Sequence, residues 1–137
     1  MTGAPAAPPT RRAVLVGACA VCATGVLAAC ADAAGQPAVA TPGTALGSTA
    51  DVPVGGGRVL PEQGVVLVQP TAGTFAAYSA RCTHAGCSVG SVEDGAIVCP
   101  CHGSRFAIAD GAVLKGPATR PLEKKQVTVS GTAITLA

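Results

Sequence analysis

The sequence predicts an all-β fold for the part of this 137-residue chain beyond residue 50. Two observations predict it. Short runs rich in Val, Ile, Leu and Thr are separated by Gly or Pro every several residues. No stretch of this region sustains the 3.6-residue apolar repeat of a helix. The chain is long enough for one domain with appendages and leaves little room for a second core.

The N-terminal elements are of another kind. Residues 1–12 are rich in Pro and Ala and end in Arg11-Arg12, and from Ala13 to Ala31 there is no charge. Basic residues followed by a modest apolar run read as an export signal. Thr10-Arg11-Arg12-Ala13-Val14-Leu15 resembles a twin-arginine motif. Leu27-Ala28-Ala29-Cys30 resembles a bacterial lipobox, in which the signal is cut before a Cys that then carries lipid. Residues 1–29 are therefore expected to be a signal peptide and Cys30 the lipidation site. The other reading is an uncleaved membrane anchor, since about 18 or more apolar residues can span a bilayer. Cys19 and Cys22 form a C-x-x-C inside the apolar run and are not read as ligands or redox thiols. Residues 30–50 are dominated by Ala, Gly, Pro, Thr and Ser, with Asp32 the only charge, and are expected to be a flexible tether.

In the remaining domain, residues 51–137, the expected strands are 52–60, 65–69, 75–81, 96–99, 112–114, 122–129 and 133–136. Val127-Thr128-Val129, a Ser130-Gly131 turn and Thr132–Leu136 read as a terminal hairpin.

Charge and aromatic content exclude a class of function. The formal net charge is +2, and two of the nine basic residues, Arg11 and Arg12, precede Cys30. Seven basic residues then face seven acidic ones. The aromatic supply is Phe75, Tyr78 and Phe106. Neither a basic face nor stacking platforms for nucleic acid can be built from this, and no nucleic-acid partner is expected.

Of the seven cysteines, Cys19, Cys22 and Cys30 lie in the N-terminal segment, and the chain's two histidines sit beside the other four. The first cluster is Cys82-Thr83-His84-Ala85-Gly86-Cys87 and the second is Cys99-Pro100-Cys101-His102-Gly103-Ser104. Two Cys and two His can hold zinc, although this leaves Cys87 and Cys101 without a reason. A purely structural disulfide scaffold suits an exported chain but does not need histidines at these offsets.

C-x-H followed by C-x-x-H resembles the Rieske iron–sulfur family. The resemblance covers about residues 75–122, including Lys115-Gly116-Pro117-Ala118, which looks like the family's proline loop. It implies an antiparallel Rieske-type β-sandwich with two cluster-binding loops and one 2Fe–2S cluster. Cys82 and Cys99 would hold one iron, and His84 and His102 the other. Cys87 and Cys101 match the pair that forms a disulfide between the loops in exported, high-potential members. A cytosolic Rieske ferredoxin or oxygenase component would keep the four ligands but lack that pair and the export signal. Ser104 matches a serine whose hydroxyl bonds to a bridging sulfide, and Pro117 falls in the loop over the cluster.

Two positions depart from the quinol-oxidising members. Phe106 stands where those often have a Tyr that donates to a cysteine ligand, and Ala85 where they often have Leu. The first implies a lower potential and the second a different or looser docking partner. No nucleophile–base pair is present, so all chemistry is expected at the metal centre. The resemblance implies a bacterial membrane-associated electron-transfer subunit on the extracytoplasmic side, similar to that of cytochrome bc-type quinol–cytochrome c reductase. Its partner would be a cytochrome b or c, and its attachment a lipid anchor or N-terminal helix. The alternative is a small Rieske subunit or carrier for another extracytoplasmic oxidoreductase; a structural zinc-binding lipoprotein is a third, distant reading.

Overall fold

A computed structural model describes residues 40–137. The expected signal peptide with Arg11-Arg12, the cysteines at 19 and 22, the lipobox Cys30 and the first part of the expected tether lie outside the described residues. Among the described residues no helix is long and apolar enough to cross a membrane.

The run Val65-Val66-Leu67-Val68 is continuously apolar where a half-buried strand would alternate, and the layering explains it. It lies in β3 (Val65–Thr71), an inner strand of a sheet ordered β2 (Gly56–Leu60), β3, β4 (Thr74–Ser79) and β9 (Lys124–Lys125). Both faces of this sheet are covered. Val65, Leu67 and Ala77 pack with Leu46, Val52, Ile134 and Leu136. Val66, Val68, Ala76 and Tyr78 pack with Ile97, Phe106, Ile108 and Leu122. Full burial of each such Val contributes about 1.5–3 kcal/mol.

The first face is covered by a three-stranded sheet ordered β1 (Ala45–Ser48), β11 (Ala133–Leu136) and β10 (Val127–Ser130). The second carries a small four-stranded sheet of β5 (Ser91–Glu93), β6 (Ala96–Val98), β7 (Arg105–Ala107) and β8 (Val113–Lys115) in sequence order. All named strand pairs are antiparallel. β4 pairs directly with β9, so residues 80–123 form an insertion between two hydrogen-bonded neighbours. Both cysteine–histidine clusters lie in that insertion.

Several elements differ from the sequence expectation. The tether was expected to reach residue 50, yet β1 and a 3₁₀ turn at Thr49–Asp51 belong to the folded body. Leu46 is buried there and Ser48 caps the turn. Apolar burial of one residue decides a segment whose composition otherwise reads as linker. The expected strand over 52–60 is shortened to β2, because Val52 turns into the core and its carbonyl accepts from the buried Gln69 side chain. The expected strand over 122–129 is split at Gln126 between two sheets. β5 and β7, three residues each, have no sequence-level period to announce them. The terminal hairpin turns through Gly131-Thr132, one residue later than expected, since Ser130 pairs with Ala133 and Gly131 supplies φ +59°. At the β5–β6 hairpin Asp94-Gly95 has φ of 50° and 71°, the type I′ signature of that dipeptide.

Candidate metal centre

The two clusters form loops with the same backbone closure. In the first, between β4 and β5, the N–H of Cys82 donates to the carbonyl of Cys87 at 2.7 Å. The N–H of Gly86 donates back to the carbonyl of Cys82 at 3.0 Å. In the second, between β6 and β7, Cys99 donates to Ser104 at 2.9 Å and Gly103 to Cys99 at 3.0 Å. Each loop thus has Cys first and Gly fifth. Gly86 and Gly103 sit at φ +80° and +77°, where a Cβ is unfavourable. An antiparallel bridge between Arg81 and Ser88 pinches the base of the first loop.

This closure directs the side chains. Cys82 and Cys99, at the loop starts, are buried free thiols at 3% and 1% exposure, in one core cluster. Burial pushes the Cys99 thiol above its ordinary pKa. The backbone N–H groups of Cys101 and His102 bond to its sulfur and pull the other way, while neighbouring Cys82 pushes it further up. His84 and His102, further along the loops, are exposed. Their Nδ1 atoms lie 3.2 Å apart and their rings meet edge to face, with centroids 4.7 Å apart. Cys87 and Cys101 form a disulfide that joins the loops.

The donors fall into two pairs, one of buried thiols and one of exposed imidazoles. Among the described residues no group of three or more His, Cys, Asp or Glu is placed to hold one metal ion. Two soft sulfur donors beside two imidazoles suit a two-iron centre with two protein donors per iron.

The segment from Gly116 to Leu122 runs between the two loops and is tied to both. Thr83 Oγ1 donates to the carbonyl of Arg120 at 2.6 Å. The N–H of Ala118 donates to Ser104 Oγ at 3.0 Å. Pro117, preceded by a cis peptide bond, is exposed on this strap. Ser104 is wholly buried, and the Ala118 bond leaves its hydroxyl proton free to donate elsewhere. Phe106 is wholly buried in the core that also holds Cys82 and Cys99. Sequence reasoning missed Thr83 and Ala118: an x position in a motif and an alanine carry no chemical signal.

Residues 44–130 match the family model described as the Rieske [2Fe-2S] domain. The chain is 48% identical over 64 residues to a putative respiratory nitrate reductase subunit Rieske of Haloferax mediterranei, covering 46% of this chain and 29% of that one. It is 38% identical over 87 residues to the cytochrome b6-f complex iron-sulfur subunit of Chlorobaculum tepidum, covering 62% and 48%. The chain thus spans about half, or less, of the length of these curated relatives. Among solved structures it resembles the cyanobacterial plasma membrane Rieske protein PetC3 from Synechocystis PCC 6803. The TM-score is 0.57 at 37% identity, covering 69% of this chain and 98% of that one.

Proposed function

The chain belongs to the Rieske [2Fe-2S] domain family, and from that premise we propose a membrane-tethered one-electron carrier on the extracytoplasmic side. It would act as the iron–sulfur subunit of a cytochrome bc-type quinol–cytochrome c reductase. Cys82 and Cys99 hold one iron, and His84 and His102 the other. The observation that carries this reading is the convergence of the buried thiol pair and the exposed imidazole pair on two like-closed loops.

When bound, the cluster supplies one-electron chemistry, at a potential raised because imidazoles replace two thiolates. The protein does the rest. Phe106 and the surrounding core exclude water from the thiol side. The Cys101 and His102 amides donate toward the Cys99 sulfur and stabilise its thiolate, the form that binds metal. The histidine Nδ1 atoms face each other, which leaves Nε2 as the nitrogen for solvent, a proton or a partner. Ser104, Phe106 and Pro117 tune this environment. The Cys87–Cys101 disulfide supports an oxidising compartment, and the motifs at Arg11-Arg12 and Cys30 would supply the export signal and the lipid anchor.

A second reading, a small Rieske subunit serving another extracytoplasmic oxidoreductase, is favoured by Phe106 and Ala85 and by the likeness to the Haloferax subunit. Membrane-purified protein tests both. A rhombic Rieske EPR signal that His84→Ala and His102→Ala each abolish is expected, with reduction by a quinol analogue only when a cytochrome b co-purifies. Co-purification with a different oxidoreductase and no quinol response selects the second reading. Absence of the EPR signal overturns both.

A further inference from the structure

Beside the first loop, an open groove of about 450 Å³ is lined by Ser79, Arg81, Thr83, Arg120, Leu122 and Glu123, among others. Arg81 and Arg120 are exposed cations. The side-chain ion pairs among the described residues are Arg58–Asp51 and Lys125–Glu123, so neither arginine meets a carboxylate there. Glu123, the groove's one acidic residue, bonds Lys125 Nζ at 2.7 Å and is thereby neutralised. Two guanidiniums, each able to grip a carboxylate with paired donors, are left to set the groove's charge.

The groove is also coupled to the metal centre by position. Arg81 directly precedes Cys82, and a Cβ built on Gly86 would meet its guanidinium at 3.1 Å, so Arg81 covers the outside of the first loop. Thr83, between Cys82 and His84, donates to the carbonyl of Arg120 across 37 residues. One wall is therefore the loop that carries Cys82 and His84, and the other is the strap that ties both loops.

We propose that the Arg81–Arg120 groove docks a redox partner through a cluster of Asp or Glu side chains on that partner. This inference rests on the electron-carrier reading above and adds the chemistry of the surface the partner uses. Charge complementarity of this kind steers encounter and sets orientation, and salt screens it.

The test uses the oxidised holoprotein and oxidised plant-type ferredoxin, an acidic probe, so that no electron moves. Isothermal titration calorimetry at low salt should give binding that fades as salt is raised. Arg81→Gln and Arg120→Gln should each weaken it about fivefold or more, a change typical of a lost interfacial charge pair. Arg58→Gln, which removes a charge outside the groove, should stay within about twofold. Basic cytochrome c should not bind at this groove, so the two groove variants should leave any response to it undiminished. Equal losses for Arg58→Gln and the groove variants, or no ferredoxin binding by wild type, overturn the proposal. So does tight binding of inorganic phosphate without ferredoxin, which makes the groove a small-anion site. The EPR signal of each variant is recorded on a separate, dithionite-reduced aliquot: its absence in wild type refutes the carrier reading, and its presence with failed docking refutes the groove alone.

Discussion

The hydroxyl oxygen of Ser104 accepts the N–H of Ala118 at 3.0 Å, with both residues buried. This bond fastens the second loop to the strap that follows Pro117, as the Thr83–Arg120 bond fastens the first. Ser104→Ala should leave the Ala118 amide buried without an acceptor, a loss of about 1–3 kcal/mol. It also removes the hydroxyl proposed to donate to the cluster, so the reduction potential should fall. Thermal unfolding and voltammetry of the variant measure the two effects; a lowered stability with an unmoved potential would assign Ser104 to the strap alone.

The loops are held together by one covalent bond, Cys87–Cys101. Cys87→Ser keeps the four proposed ligands and should lose about 2–4 kcal/mol. The expected readout is faster bleaching of the cluster's visible absorbance and a lower yield of holoprotein. A bleaching rate equal to that of wild type under oxidising conditions contradicts the latch.

Gly86 and Gly103 occupy matching positions with matching positive φ, but their surroundings differ. A Cβ at Gly103 meets open space, whereas one at Gly86 meets Arg81 Nε at 3.1 Å. Both Gly→Ala changes should destabilise by about 1 kcal/mol or more through the left-handed backbone. Gly86→Ala should be the worse, because it also displaces Arg81. Urea midpoints of the two variants rank them, and the reverse order would show that the Arg81 contact is immaterial.

Tyr78 is the chain's single tyrosine, wholly buried, and its hydroxyl donates to the carbonyl of Ile108 at 3.1 Å. Burial, with Asp110 adding, raises its pKa above the usual value of about 10. The folded state therefore holds the proton more tightly than the unfolded state does. That stabilisation is fully present below the unfolded pKa and is lost as pH rises through the higher folded pKa. Stability should fall above about pH 10, and Tyr78→Phe should remove that component while losing about 1 kcal/mol from the hydrogen bond. Denaturant titrations from pH 8 upward test the sign; identical alkaline slopes for the two proteins would exclude it.

Phe106 packs in the core shared with Cys82 and Cys99. If its ring edge faces a ligand sulfur, Phe106→Tyr adds a donor that stabilises the reduced, more negative cluster. A net preference of about 1 kcal/mol corresponds to roughly +40 mV for one electron. Voltammetry with an intact EPR signal reads the shift; a fall in potential would mean that the hydroxyl points elsewhere.

The sequence by itself determined what depends on neighbours within a few residues. C-x-H with Cys87 and C-x-x-H with Ser104 each fit a six-residue loop closed by its own backbone, and the donor roles within them are what the resemblance to the Rieske family implies. Asp94-Gly95 specified its turn, and the apolar run at Val65–Val68 specified a strand. Tertiary structure decided the relations across long separations. Leu46 drew β1 out of an apparent linker, and β9 was split from β10 because β9 pairs with β4 at the edge of the central sheet while β10 pairs with β11 in the sheet that covers its first face. Thr83 met Arg120, and Ser104 met Ala118, only because the insertion folds back on itself. A short loop is specified by local φ, ψ and hydrogen bonding, whereas a contact across 37 residues exists only once burial of a shared core has overcome the entropy of closing the chain between them.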